Sequence, residues 1–327
     1  MDALSDLLRV VRLSGGVFLD GEFSAPWCVS AQVTLEECRL MKADPSSVVA
    51  FHFVAQGRMR VLLDGSDPID VEENSVVLLT RNDHHRLCSD LGLRPVNPED
   101  HIELDRDSGL LRMRCGGGGE TTRIVCGFIG SDVRRHPLVD ALPPALVLPM
   151  RDEPSCQWIA SSFRYAAQSL GSMRPGAATS LARLSELMFI EAVRYYVDSL
   201  PEGERSWLGG LRDPVVGRAL MLMHSRIHHP WTTSELASEV AMSRSAFAER
   251  FTSVIGTPPM SYLASWRMQV AAQRLRECRR SVAQVAAEVG YESEAAFIRA
   301  FQREMGVSPA RWRRGESERD AEPALAS

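Results

Sequence analysis

One supersecondary pattern occurs twice between residues 232 and 309, and it constrains the fold more than any other feature of the chain. Each copy has a short apolar segment, a tight turn, a serine, and a helical segment with two phenylalanines four residues apart. Phe247 and Phe251 in the first copy correspond to Phe297 and Phe301 in the second, at an offset of 50 residues. Each copy predicts a helix-turn-helix, in which one helix supports a second helix that enters the major groove of DNA.

The starts of the four predicted helices are marked by residues whose side chains cap backbone amides. Glu235 and Gln284 lie three residues after a hydroxyl residue, which is the spacing of a capping box. The predicted N-caps are Thr232 and Ser281 for the supporting helices, and Ser243 and Ser293 for the second helices.

The segment from Pro259 to Cys278 joins the two copies and predicts one long helix. Its apolar residues recur at helical spacing, and no internal proline or glycine interrupts them. About 20 residues at ~1.5 Å each give a rod of ~30 Å. This length is close to the ~34 Å between successive major-groove faces on one side of B-DNA. The two second helices are therefore expected to lie one DNA turn apart.

Three short motifs in this region resemble the DNA-binding domain of the AraC/XylS family of bacterial transcription regulators. They are Trp266-Arg267-Met268, Gly290-Tyr291-Glu292-Ser293 and Gly306-Val307-Ser308-Pro309. The resemblance covers roughly residues 212–314. It implies a sequence-specific regulator of transcription that binds double-stranded promoter DNA, most often an activator placed next to RNA polymerase.

Helical periodicity divides the two second helices into a core side, with the phenylalanines and Ala246, and an outward side. The predicted DNA-binding residues are Arg244, Ser245, Ala248, Glu249 and Arg250 in the first copy, and Glu294, Ala295, Ala296, Arg299 and Arg303 in the second. The family resemblance implies that the base-reading positions among them are 245, 248, 249, 295, 296 and 299. Arg299 has the chemistry to bind guanine, and Glu249 to accept from cytosine. The alternatives are a solvated or intrahelical charge at Glu249, and for Arg299 a phosphate contact or an ion pair with Glu288 or Glu292.

The charge distribution agrees with a DNA-binding C-terminal region. The whole chain has a formal net charge of −5. Residues 212–314 contain 15 arginines and 9 acidic residues, so the rest of the chain carries −11. A basic module on an acidic body is the pattern expected for contact with phosphates.

Residues 17–130 predict many short strands, as in a sandwich or a small barrel. The predicted strands are Val17 to Leu19, Cys28 to Val33, Val48 to Val54, Arg58 to Leu63, Ile69 to Val71, Ser75 to Leu79 and Arg123 to Phe128. Asp64-Gly65 predicts a hairpin turn. The glycine run that follows Cys115 predicts a flexible hairpin or loop, and residues 91–110 predict an exposed loop.

The segments Phe51-His52-Phe53-Val54 and Glu73 to His85 resemble the cupin-type sensor half of many AraC-family members. That resemblance makes His52 and His85 the candidates for binding a small-molecule effector. A metal-dependent cupin would need a His-x-His cluster followed by a glutamate, which the chain lacks. No metal, cofactor or catalytic residue is therefore predicted, and two histidines satisfied by backbone groups remain an alternative.

The overall prediction is an α+β protein of two domains. Residues 1–149 form a cupin-like β-barrel, 150–204 a helical linker and dimerisation segment, 205–314 an all-α DNA-binding domain, and 315–327 a disordered tail. The helix from about Gly176 to Leu200 has a wide apolar stripe, predicted to pack partly on the barrel and partly on a second subunit. The alternative is that both parts are intramolecular core. Residues 201–212 predict an interdomain linker.

Seven scattered cysteines and the lack of a long apolar run predict a reduced, cytoplasmic protein without a membrane segment. The favoured function is an effector-controlled regulator and not an enzyme, with a homodimer as one of the two readings of the wide apolar stripe. Two alternatives stay open at this point. One is a metal-dependent cupin enzyme fused to a DNA-binding domain, and the other is a DNA-binding protein that responds to no ligand.

Overall fold

The structure is a computed structural model that describes residues 4–5, 13–40, 43, 45, 47–104, 111–131, 137–150, 154–170, 177–201, 204–277 and 280–314. The described chain divides into two compact units. One unit is Leu13–Ser199, and the other contains the described residues from Leu200 onward. The predicted tail, 315–327, lies outside the described residues.

Two β-sheets form the body of the first unit. The strands are β1 Leu13–Ser24, β2 Cys28–Ala31, β3 Ser47–Gln56, β4 Arg58–Leu63, β5 Ile69–Glu72, β6 Ser75–Leu79, β7 His85–Cys88, β8 Ile102–Leu104, β9 Leu111–Gly116, β10 Thr121–Ser131 and β11 Ala145–Pro149. The larger sheet has the order β11-β6-β3-β10-β1-β9-β8, and the smaller has the order β2-β7-β4-β5. Two short helices, α1 Leu35–Leu40 and α2 Pro137–Asp140, lie in its connections.

Alternating side chains from both sheets fill one apolar core. On β4, Met59 and Val61 are buried while Arg58 is exposed, as the sequence pattern predicts. They join Phe23 and Phe128 of the larger sheet in a single cluster. The predicted turn at Asp64-Gly65 connects the antiparallel pair β4 and β5. The cupin-type fold expected of this region is confirmed.

Each of the seven predicted strands is present, but four others were missed: β7, β8, β9 and β11. Strand β8 lies inside the predicted loop 91–110, and proline flanks β11. Strand β9 pairs in parallel with β1, whose partner residues precede it by about 92 positions. Pairing over such separations depends on the whole sheet, so short segments carry little local signal for it.

Of the two structures predicted for the glycine run, the hairpin is wrong, because β9 and β10 lie on opposite sides of β1 and do not pair, and the run is a loop between them. The run is held against the end of β1. The amide of Gly117 donates to the carbonyl of Ser24 at 2.9 Å, and that of Gly119 donates to Ala25 at 2.8 Å. Gly116 has a φ of 142°, and a Cβ there would lie 1.8 Å from the Ser24 carbonyl oxygen. Only glycine fits this close approach.

Two longer helices, α3 Pro154–Leu170 and α4 Ala177–Ser199, complete the first unit. Helix α4 packs on β1 so closely that a Cβ at Gly15 would lie 2.4 Å from the carbonyl oxygen of Ala182. The apolar stripe of α4 divides in two. Met188 is buried, whereas Leu187 and Tyr195 are exposed.

The second unit is helical. Its helices are α5 Trp207–Arg212, α6 Pro214–Ser225, α7 Thr233–Glu239, α8 Arg244–Ile255, α9 Pro259–Glu277, α10 Val282–Glu288, α11 Glu294–Met305 and α12 Pro309–Arg313. The predicted linker 201–212 therefore contains a helix, α5, whose N-cap is Ser206. The indole of Trp207 donates to the hydroxyl of Tyr262 at 3.0 Å, which fixes α5 on α9. Glycines at 209 and 210 hid this helix from the sequence pattern, although both are buried.

Helix α9 is the continuous rod that the sequence predicted. Its 19 residues span about 28 Å. Leu263, Trp266, Val270 and Leu275 are all buried along it. None of the described helices is long and apolar enough to cross a lipid bilayer.

Candidate DNA-binding surface

Helices α7 and α8 form the first helix-turn-helix, with both predicted N-caps in place. The reciprocal half of the capping box predicted for Thr232 and Glu235 is wrong, because the Glu235 carboxylate lies 2.7 Å from His229 Nε2 instead. The hydroxyl of Thr232 accepts from the amide of Glu235 at 3.1 Å, and that of Ser243 accepts from Ala246 at 3.3 Å. In the turn, Ala241 has a φ of 54°. This left-handed conformation is costly for any residue with a Cβ.

Helices α10 and α11 repeat the arrangement. Ser281 and Gln284 form a reciprocal capping box, and the hydroxyl of Ser293 accepts from the amide of Ala296. Gly290 has a φ of 82° and lies in the turn where the first copy has Ala241. The two helix-turn-helix motifs therefore have the same backbone design, including the left-handed turn residue.

The phenylalanine pairs fix which side of each second helix faces outward. The ring centroids of Phe247 and Phe251 are 5.7 Å apart, and those of Phe297 and Phe301 are 5.6 Å apart. All four side chains are fully buried. The two phenylalanines of each pair lie one helical turn apart and so on the same side of their helix. The opposite side of α8 and of α11 is left for solvent or DNA.

Most predicted DNA-binding residues lie on those outward sides. The exposed ones are Arg244, Ser245, Glu249, Arg250, Glu294, Ala295, Arg299 and Arg303, while Ala248 and Ala296 are half-buried. The assignment of Ala246 to the core is wrong, because Ala246 is exposed. Successive helix positions point about 100° apart, so Ala246 faces away from the side of α8 that buries Phe247.

Arg250 is already engaged within the protein. Its Nε and Nη2 donate to one carboxylate oxygen of Asp213 at 3.1 and 2.9 Å. The other oxygen of Asp213 accepts from the amides of Val215 and Val216 at the start of α6. Burial raises the pKa of Asp213, but these hydrogen bonds outweigh that effect and hold the pKa below its usual value. The pair joins α8 to α6, a role that the sequence pattern did not indicate.

Arg299 is in the opposite situation. Glu288, one of the two acids considered as its partner, instead pairs with Arg274 at 2.8 Å and with Arg280. Among the described residues, Arg299 has no ion-pair partner, and its side chain is exposed on α11. Its guanidinium is therefore available to a guanine or a phosphate.

The two effector candidates meet inside the first unit. His52 on β3 and His85 on β7 are 2% and 1% exposed, and their Nε2 atoms are 2.7 Å apart. His52 Nδ1 lies 3.0 Å from Cys126 Sγ, and His85 Nδ1 lies 2.8 Å from the carbonyl oxygen of Asp83.

These contacts define one consistent set of proton positions. Because a carbonyl only accepts, His85 Nδ1 donates to Asp83, and His85 Nε2 then accepts from His52 Nε2. His52 Nδ1 in turn accepts from the thiol of Cys126. Burial lowers the pKa of His52 well below its usual value and that of His85 to about 4, so both rings are neutral at neutral pH. The part played by Cys126 was missed, because 74 residues separate it from His52.

Similarity to known proteins agrees with both units. A cupin family model matches residues 2–198, and a helix-turn-helix domain model matches residues 236–315. A putative AraC-like transcription regulator of Streptomyces antibioticus is 35% identical over 96% of this chain and 99% of its own length.

Two further relatives match along nearly their whole length. The HTH-type transcriptional regulator AlkR of Acinetobacter baylyi is 33% identical over 96% of this chain and 99% of its own. The RCS-specific HTH-type transcriptional activator RclR of Escherichia coli is 28% identical over 96% of this chain and 97% of its own.

Proposed function

This chain belongs to the AraC family of transcription regulators, and from that premise we propose that it reads a two-block DNA site under the control of a small molecule. DNA binding and regulation of transcription follow from the family. The two-block site, the effector, the homodimer and the contact with RNA polymerase are the proposed parts.

The two-block site rests on the outward sides of α8 and α11, presented on one rod about 28 Å long. In the first block, Glu249 accepts from a cytosine amino group, and Ser245 and Ala248 contact neighbouring bases. In the second block, Arg299 forks onto a guanine, and Ala295 and Ala296 contact thymine methyl groups. Arg244, Glu294 and Arg303 lie at the edges of the two surfaces, with the arginines near the phosphates.

Selection of bound sequences from a random DNA pool tests this reading. We expect two short conserved blocks whose centres lie about 10 base pairs apart on one face of the duplex. Enrichment of a single block, or of no sequence, would contradict it. Repeating the selection with cell extract present tests whether a small molecule changes the result.

The effector is proposed to bind in the first unit beside His52 and His85. A buried polar pair in an apolar interior is stable only while its hydrogen bonds are satisfied. A ligand group that exchanges for the contact between the two rings would change how β3 and β7 are joined. Its effect on DNA binding is limited to the difference between its affinities for the two arrangements.

Operator titrations with fractionated extract, on wild type and on His52→Phe, test the effector proposal. We expect an extract fraction that shifts wild-type affinity and leaves the His52→Phe affinity unchanged. An affinity that no fraction alters in the wild type would favour the alternative of a ligand-independent DNA-binding protein.

The homodimer is proposed to form through α3 and α4. Each of these helices exposes two large side chains, seven or eight residues apart and so on one side: Trp158 and Tyr165 on α3, with 57% and 60% exposure, and Leu187 and Tyr195 on α4, with 41% and 38%. Light scattering at micromolar concentration without DNA tests the dimer. A strict monomer would reject it, and Trp158→Ser is expected to weaken the dimer.

Activation through RNA polymerase is proposed from the family's usual mode. Transcription from the selected site with purified polymerase is expected to rise when the protein is added. The enzyme alternative predicts bound metal at one per chain together with turnover. Within the described residues, no group of three or more histidine, cysteine or acidic side chains, the contacting Cys126, His52 and His85 included, is arranged to hold a metal ion. Binding to chromosomal DNA also implies a cytoplasmic protein.

A further inference from the structure

Arg267, on the rod helix α9, contacts the backbone just ahead of the first helix-turn-helix. Its Nε donates to the carbonyl of Ile227 at 3.0 Å, and its Nη2 donates to the carbonyl of His229 at 2.7 Å. Pro230, Trp231 and Thr232 follow, and α7 begins at Thr233. The guanidinium is half-buried, and burial lowers its pKa, but arginine stays charged. The contact therefore fixes the segment that leads into the first helix-turn-helix against the rod helix α9.

The same guanidinium lies against the turn of the second helix-turn-helix. A Cβ at Gly290 would be 2.8 Å from Arg267 Nη2 and 2.8 Å from the carbonyl oxygen of His228. The next residue, Tyr291, also senses this charge. Burial raises the pKa of Tyr291, and Arg267 acts against that rise. The planar guanidinium of Arg267 is thus enclosed between the segment that leads into the first helix-turn-helix and the turn of the second helix-turn-helix.

This placement has a consequence for how the two units face DNA. The length of α9 sets the distance between α8 and α11, but a helix by itself leaves each attached unit some freedom to rotate about the axis. One base pair rotates the groove by about 34° and advances it by ~3.4 Å. A reading helix turned by that amount no longer faces its own block. Contacts that hold the two helix-turn-helix motifs in a fixed orientation therefore determine which spacing between the DNA blocks fits.

We propose that Arg267 is a positioning residue that sets the spacing between the two DNA blocks this protein recognises. The inference rests on the proposed two-block reading, and it adds a determinant that touches no DNA. Arginine suits the role because its planar fork donates to two carbonyls in fixed directions, whereas lysine is a compact point charge on a flexible stem.

The test measures affinity for three DNA duplexes that carry the selected blocks at the selected spacing, one base pair closer, and one base pair farther apart. Wild type is expected to bind the selected spacing about tenfold more tightly than the other two, because a misplaced helix loses base contacts. Arg267→Met is expected to bind the selected spacing less tightly and to prefer it by less than about threefold. Arg267→Lys is expected to fall between them.

Arg276→Met is the matched control. Arg276 lies on the same helix, and its guanidinium packs over the ring of Trp312 on α12 at 4.3 Å. Its loss removes the same charge and is expected to leave the spacing preference at the wild-type value. Thermal unfolding of each variant shows that the folded protein is being compared. If Arg267→Met does not fold, Arg267→Lys carries the test.

The outcomes separate the inference from the function it rests on. A wild-type protein that binds all three duplexes equally rejects the two-block reading itself. A wild-type preference that persists in Arg267→Met and Arg267→Lys, with affinity lowered equally on all three duplexes, overturns only the positioning role of Arg267. A preference reduced in both variants and unchanged in Arg276→Met supports it.

Discussion

The two helix-turn-helix units share a backbone and differ in the chemistry of their outward sides. Each has a serine that caps its second helix, a buried phenylalanine pair and a left-handed turn residue. In the first helix-turn-helix Arg250 is bound by Asp213, which leaves Arg244 at the start of α8 and the acidic Glu249 one turn later as its other exposed charged groups. In the second helix-turn-helix Arg299 is exposed without an ion-pair partner among the described residues. The supporting structure repeats because the same helix pair must bury the same face, whereas the outward side has no such requirement.

The largest effect is expected from the shared core. Phe247→Ala and Phe297→Ala should each lower the free energy of unfolding by about 3–5 kcal/mol, because each empties a fully buried aromatic site. Urea denaturation of the full chain measures both. Gln302→Ala, at an exposed site on α11, is the control and should cost less than about 0.5 kcal/mol. If only one of the two phenylalanines matters, the equivalence of the two cores is wrong.

The outward sides should differ when arginine is removed. Arg299→Ala is expected to weaken operator binding by at least ~1 kcal/mol and to relax the preference for one base pair. Arg250→Ala removes a contact to Asp213, so its cost should appear mainly as lower stability, with base preference unchanged. Gel-shift titrations at fixed salt, with single-base variants of the site, compare them. Relaxed base preference in Arg250→Ala alone would reverse the assignment.

The two turn residues should respond to substitution with opposite sign. Gly290→Ala is expected to lower the free energy of unfolding by about 1–2 kcal/mol or more, because its φ is left-handed and the new Cβ meets Arg267 and a backbone oxygen. Ala241→Gly is expected to raise it by up to about 1 kcal/mol, since glycine takes φ 54° without strain. Thermal unfolding monitored by circular dichroism decides the signs. A loss of stability in Ala241→Gly would show that the turns are not equivalent.

The smallest effect at any single salt concentration is expected for the arginines at the edges of the two surfaces. Replacing Arg303 by alanine should reduce the slope of log affinity against log salt by about 1, while base preference stays the same. Arg244→Ala, in the first helix-turn-helix, should also reduce this slope by about 1. A slope that neither change alters would remove both residues from the phosphate contacts.

Local signals explain why the second unit was predicted so closely. A capping serine or threonine and phenylalanines one turn apart act on residues within four positions of themselves, and the structure has each of them where the pattern indicates. Helix α5 is the exception, because Gly209 and Gly210 lie at its centre, where a helical pattern is marked by larger apolar side chains. In the first unit, strands with strong alternation such as β4 were predicted, and short strands such as β8 and β11 were not.

The amino-acid sequence predicted the two helix-turn-helix motifs, the rod between them and the alternating strands of the cupin unit, because each is marked by a residue pattern within a short stretch of chain. Tertiary structure alone decided three other features. These are the parallel pairing of β9 with β1, the chain of contacts from Cys126 through His52 to His85, and the position of Arg267 between the two units. Each joins groups from about 30 to 90 residues apart, and the free energy of such contacts depends on burial and geometry that only the assembled fold provides.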